Sequence, residues 1–243
     1  MTPKPIHRSR NRLLFCVAIP LCVFLISCST QAKIPTLSDD RLEHLLRSEA
    51  ARIIAVSEDR DNFSQYQFFL SDFPRQDLFG ISVGNRQIYI SYRLVSVALK
   101  YPGQLWLLRQ TVAHEIAHET AGHAKGKGIK QVNSGFFNFG GSGSDLGLPW
   151  YVRLYNYSAD RELEADGIGL GYWNKLGWDC RIWVRILENF QEQNYIGDRF
   201  HPTDKRLQQA QNVCKLHGDE NPSAQSAKPA ENGKFAFVNS ELN

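Results

Sequence analysis

A chain of 243 residues suits one domain with a sizeable core. Lys and Arg number 28 against 25 Asp and Glu, for a net charge of +3. Four of the cations fall in the first 12 residues, so the chain beyond residue 27 carries about −1 and offers no basic surface for nucleic acid.

Lys4, Arg8, Arg10 and Arg12 precede an apolar run, 13–27, that ends in Leu25-Ile26-Ser27-Cys28. This is the pattern of a secretory signal. Its last four residues also match the lipobox of bacterial lipoproteins, in which Cys28 is acylated and becomes the mature N-terminus. The competing reading is an uncleaved anchor, but 15 apolar residues broken by Pro20 fall short of the roughly 20 that span a bilayer. The expected location is the bacterial cell envelope, facing the periplasm. Ser29, rather than Asp, follows the cysteine, which under enteric-type sorting favours the outer membrane. Residues 28–39 read as the linker from this anchor.

The periodicity of 40–60 predicts an amphipathic helix with Leu42, Leu45, Leu46, Ala50, Ile53 and Ile54 inward. Strand-like stretches follow at Tyr66 to Leu70 and Phe79 to Ser91, and Gly84-Asn85 supplies a turn within the second. Such a small sheet offers an edge on which an extended peptide can pair through its main chain.

The next helix carries His114-Glu115-Ile116-Ala117-His118. Two histidines one turn apart can share a Zn²⁺ ion, with Glu115 beside them as the base for an attacking water. Leu105, Leu108, Val112 and Ile116 make an apolar stripe on the opposite side, so one face reads as core and the other as site. Two buried histidines satisfied by backbone carbonyls are the plainer alternative, but burying them with a carboxylate and no metal is costly. His123 comes five residues after His118, one short of the metzincin spacing. On a continuing helix it would point away from His114, so it is assigned behind the ligands or to the surface.

Residues 134–150, with Gly140, Gly141, Gly143 and Gly147 among Phe136, Phe137 and Phe139, form either a lid over the site or a plain surface connection. Ser158 then caps a helix whose first turns place Glu162 and Asp166 on one face. Glu162 is the expected third metal ligand, and Asp166 is placed to hydrogen-bond a ligating histidine and fix its tautomer. Gly167 and Gly171 are expected to let this helix approach the zinc helix. Read in isolation, the same run is a solvated charged helix start. Cys16 and Cys22 leave with the signal, and Cys180 and Cys214 remain as either a disulfide or two buried thiols. The metallopeptidase domain is placed at 40–216, with a polar, disordered tail over 217–243.

With Ala113-His114-Glu115-Ile116-Ala117-His118 and Glu162-Leu163-Glu164-Ala165-Asp166, the chain resembles the gluzincin peptidases, the family that includes HtpX, the CAAX prenyl proteases, LoiP and BepA. The likeness extends over about residues 40–215. It implies an α+β, mostly helical zincin-type metalloprotease domain with a small antiparallel or mixed sheet beside the zinc helix, one Zn²⁺ per chain, and Glu162 rather than Glu164 as ligand. His201 and Arg206, in His-Pro-Thr-Asp-Lys-Arg, are placed near the active site by the resemblance alone. The chain departs from the family pattern at Ser158-Ala159, where Ser-Arg is common, and at Asp77-Leu78-Phe79, where Asn-Ala-Phe is common.

The expected function is zinc-dependent hydrolysis of peptide bonds in misfolded or unstructured envelope proteins. Glu115 serves as base and then acid, and His201 is the donor to the developing oxyanion, with Tyr157 as a second candidate. The competing functions are a holding or assembly factor that retains the metal site with little cleavage, and a lipoprotein whose zinc only stabilises the fold. An intact Glu115 argues against the last, because a structural site needs no base.

Overall fold

The first helix begins at Asp39, whose carboxylate accepts the amides of Arg41 and Leu42 at 3.0 and 3.2 Å and so satisfies two of the donors left open at a helix start. In this computed structural model, which describes residues 34–74, 78–124, 157–192 and 202–220, helix α1 spans Asp40–Ile54 and buries Leu42, Leu46, Ala50, Ile53 and Ile54. Leu45 sits at the margin of that core. Glu49 is buried with them, a position the apolar pattern does not mark. Its charge is matched by Arg109, which donates from Nε at 2.7 Å and from Nη2 at 3.2 Å while its guanidinium lies against the rings of Trp106 and Trp178.

Strands β1 (Gln67–Ser71), β2 (Gly80–Ser82) and β3 (Gln87–Ser91) form a mixed sheet in the order β1-β3-β2, with β1 parallel and β2 antiparallel to β3. Alternation sends Phe68, Leu70, Ile88 and Ile90 to the main core. Ile81 and Val83 join Ile34 and Phe73 in a smaller second cluster, against which Tyr89 packs. The end of the expected linker is tied to the domain at two points: Ile34 is buried, and the amide of Leu37 donates to the carbonyl of Leu70 at 2.9 Å. The turn expected at Gly84-Asn85 is present and extends to Arg86, with φ of 88°, 54° and 58° at the three residues. Arginine is uncommon in that region. Its conformation is held by its own amide, which donates to Glu119, and by its guanidinium, which donates to Asp59 and Gln65.

Helix α2 (Tyr92–Lys100) leads through a short turn to α3 (Leu105–Thr120), the helix of the His-Glu-x-x-His motif. The apolar stripe and the histidine pair lie on opposite sides of α3 as expected, but the site side is covered as well. Every residue of α3 from Leu107 to His118 except Arg109 is buried, because α1, α2, β2, β3 and two later helices surround it. Helix α4 (Ala159–Lys175) packs along α3. Ser158 stands at its N-cap, but the hydroxyl makes no capping bond; the backbone carbonyl of Ser158 accepts from Glu162 instead.

The glycine that permits the close approach is neither Gly167 nor Gly171. A Cβ on Gly167 would meet Gln209 and one on Gly171 would meet nothing. On Gly169 it would come within 3.2 Å of the Ala113 backbone and 3.1 Å of the Trp183 ring. Gly169 lies seven residues after Glu162 and three after Asp166, and so shares their face; the other two glycines are turned off it. Helix α5 (Cys180–Glu192) and helix α6 (Thr203–Glu220) complete the domain. Trp173 lies at the junction, 5.5, 4.9 and 5.3 Å from the rings of Trp106, Trp178 and Trp183. Cys180 and Cys214 form a disulfide with Cα atoms 5.7 Å apart, tying the start of α5 to α6. Helix α6 continues to Glu220, past the residue where the tail was expected to begin. The architecture is α+β, mostly helical, with a small mixed sheet.

Two measurements check this packing. Gly169→Val should lower unfolding stability by about 2–3 kcal/mol in a denaturant titration, because the Ala113 backbone cannot give way, while Gly171→Ala should leave it unchanged or raise it by up to about 1 kcal/mol. Cys180→Ser with Cys214→Ser should cost about 3–4 kcal/mol on the chain-entropy model for a loop of this length, and thiol titration of unreduced, unfolded wild-type protein should find no free thiol from this pair.

Candidate metal centre

His114 and His118 stand one turn apart on α3, and Glu162 enters from the first turn of α4. All three are buried. Their donor atoms converge: His114 Nε2 lies 3.0 Å from His118 Nε2 and 3.0 Å from Glu162 Oε2, and His118 Nε2 lies 3.4 Å from the same oxygen. A tetrahedral ion bonded at about 2.0–2.1 Å spaces its donors about 3.3–3.4 Å apart, so the cluster fits one ion with little adjustment. This His-His-Glu group can hold a metal ion, and it is the one group of three or more such donors among the described residues.

Each histidine is held from behind. His114 Nδ1 lies 2.9 Å from Asp166 Oδ1, and Asp166 accepts in turn from Nε and Nη2 of Arg206, the latter at 2.8 Å. Arg206 thus belongs to the site through Asp166. His118 Nδ1 lies 2.9 Å from His123 Nδ1, and His123 Nε2 lies 3.1 Å from Glu164 Oε2.

Of the two places expected for His123, behind the histidine pair or at the surface, the structure shows the first, though by a turn that a continuing helix would not make. The helix ends instead in a left-handed residue, Gly122 (φ 69°). The amide of Gly122 donates to Glu119 O and that of His123 to His118 O, both at 3.0 Å, the pair of bonds that folds the chain back over a helix end. Gly122 was the legible signal for this, two residues after the last helical position. His123 is consequently buried behind His118.

Tyr157 is also placed differently from its expected oxyanion role. Its ring stacks on His118 with centroids 4.2 Å apart, and its hydroxyl donates to the Ser82 carbonyl at 2.9 Å, so it braces a ligand. Glu119, which the motif reading passed over, joins the site to the sheet by accepting from Ser82 Oγ and from the amides of Gly84 and Arg86, both at 2.9 Å. Glu115 is buried beside β2, and a Cβ on Gly80 would lie 2.8 Å from its Cγ and Oε1. His201, Cys28, the signal segment 1–27 and the glycine-rich segment 134–150 lie outside the described residues. No family model matches the chain, and no curated protein matches it significantly.

The electrostatics separate the two imidazoles. Burial disfavours charge on His114, but its hydrogen bonds to Asp166 and Glu162 outweigh that and raise its pKa to about 10. Burial dominates at His118 and, with repulsion from His114, lowers it to about 4. Burial also works against the charge of Asp166, yet Arg206 and His114 hold that carboxyl well below its usual range.

A ligating imidazole must be neutral. His114 keeps its proton up to about pH 10 without metal, whereas His118 is already neutral above about pH 4. Metal binding at pH 7.5 should therefore release about one proton from His114, and affinity should rise about tenfold per pH unit toward pH 10. Calorimetry of zinc binding in buffers of different ionisation enthalpy measures that proton; no release would contradict the assignment.

Proposed function

We propose that the chain is a zinc-dependent endopeptidase acting on misfolded or unstructured cell-envelope proteins, of the gluzincin kind that it resembles. The observation that carries this reading is a buried three-donor cluster with a carboxylate, Glu115, adjacent to one of the donors on the same helix. A site built only for stability is usually closed by a fourth protein ligand and has no use for a base.

Zinc bound there would polarise a peptide carbonyl and lower the pKa of a water toward about 7. Glu115 takes the proton of the attacking water and returns it to the amine nitrogen as the C–N bond breaks. Asp166 and Arg206 keep His114 in one tautomer and orientation through this cycle. His201 is the proposed second donor to the oxyanion.

Strand β2 is an outer strand of the sheet. The amides of Val83 and Ser91 bond across the β2–β3 pair, to Gln87 O and Phe79 O, so alternation turns the backbone groups of Gly80 and Ser82 away from β3. The Ser82 carbonyl is taken by Tyr157. Gly80, beside Glu115, is where an extended peptide would pair, and main-chain pairing is largely indifferent to sequence, which suits unfolded substrates. Cleavage of the apolar leader after Ser27 and acylation of Cys28 would tether the enzyme to the envelope membrane, and the lipobox pattern supports this.

The test is digestion of casein by wild type and Glu115→Gln, with zinc per chain measured in parallel. Cleavage by wild type and its loss by a factor of 10² or more in the variant, with zinc retained, is expected. Zinc in both with cleavage by neither would favour the holding-factor function instead.

A further inference from the structure

The two candidate imidazole ligands are held by different means. His114 faces a carboxylate at Nδ1, whereas His118 faces another imidazole at 2.9 Å, and that imidazole faces Glu164 at 3.1 Å. An imidazole pair shares one hydrogen between two nitrogens, and the contact alone does not say which ring carries it.

Glu164 decides. An ionised carboxylate only accepts, so the Nε2 of His123 that faces it carries hydrogen. With its single hydrogen there, His123 presents a bare Nδ1 and accepts at that atom. His118 therefore donates from Nδ1, which leaves the lone pair of its Nε2 directed toward His114 and Glu162. The opposite arrangement would put hydrogen on His118 Nε2, closing that atom to a metal, and would set a lone pair of His123 against the carboxylate. Little else can make the choice. His118 and His123 are 1% and 5% exposed, and the ring of Tyr157 covers one face of His118.

We propose that Glu164 and His123 are positioning residues that hold His118 in the tautomer able to bind metal. The first turns of α4 then set both imidazoles, His114 directly through Asp166 and His118 through Glu164 and His123. The backbone supports the relay, since the turn at Gly122 folds His123 over His118.

This inference rests on the zinc reading of His114, His118 and Glu162, and the experiment separates the two. Zinc affinity of the full chain in detergent is measured by competition with a chromophoric chelator for wild type, His123→Phe, His123→Gln and Glu164→Gln. His123→Phe keeps a ring but removes the acceptor, and should bind zinc about 10–100-fold more weakly. His123→Gln offers a carbonyl oxygen to His118 Nδ1–H and should recover most of that loss. Glu164→Gln can either accept or donate, so it should weaken binding several-fold, and nitrogen-15 spectra of the metal-free protein should show a second tautomer of His118. A folded His123→Phe with wild-type affinity overturns the relay. Should that variant not fold, Glu164→Gln decides at a half-exposed position, where unchanged affinity and a single Nδ1–H tautomer overturn it. If wild type binds zinc and the variants bind as tightly, only the relay fails; if wild type binds none, the metal reading fails and the relay with it.

Discussion

Between Leu107 and His118 nearly all of α3 is buried, and that constraint organises the rest of the molecule. Its motif residues His114, Glu115 and His118 are buried along with nearly everything around them, so their polar atoms must find partners in protein or leave a large desolvation cost unmet. Helix α4 meets the need with acids at three alternate positions. Glu162 points into the donor cluster, Asp166 takes the outer nitrogen of His114, and Glu164 reaches His123. This depends on close approach of the two helices, and Gly169 against the Ala113 backbone is what allows it.

The support then runs outward into every other part of the domain. Without Arg206, Asp166 would be a buried carboxylate with only His114 against it, and Arg206 is carried by α6, which the disulfide ties to α5. On the other side, Glu119 receives two amides of a turn whose residues are all left-handed, so the helix bearing the histidine pair also stabilises the conformation that lets β2 fold back onto β3. Strand β2 in turn lies against Glu115. Sheet and site therefore cannot be disturbed independently.

One local device is used twice. Helix α3 ends at Gly122 and α4 at Gly177, each left-handed, and in each the amide of the next residue donates to a carbonyl five residues back. At α4 this returns Trp178 onto Trp173, an apolar closure. At α3 it returns His123 onto His118, and the same geometry serves a polar site.

Much of this was legible residue by residue. The α1 stripe, the histidine pair and the pairing of Glu162 with Asp166 on one face follow from the helical period, because side chains at that spacing share a face whatever surrounds them, and the turn at Gly84-Asn85 follows from residues that accept a left-handed backbone. Arg206 was placed near the site by resemblance, though its pairing with Asp166 was not foreseen. What stayed hidden were relations between elements. Periodicity marked one stripe of α3 but not that its other faces are covered too. It chose Gly167 and Gly171 over Gly169 because the crossing of two helices decides which glycine meets a backbone. It left His123 undecided between the surface and a place behind the histidine pair because it continued a helix that Gly122 ends, and it offered Tyr157 as an oxyanion donor because Ser82, 75 residues away, could not be seen to claim its hydroxyl. Local backbone geometry sets which groups line up along each element, so that much could be read from the order of residues alone. Which groups from different elements are buried together, where each hydrogen needs an acceptor and each charge a partner, depended on how the elements pack.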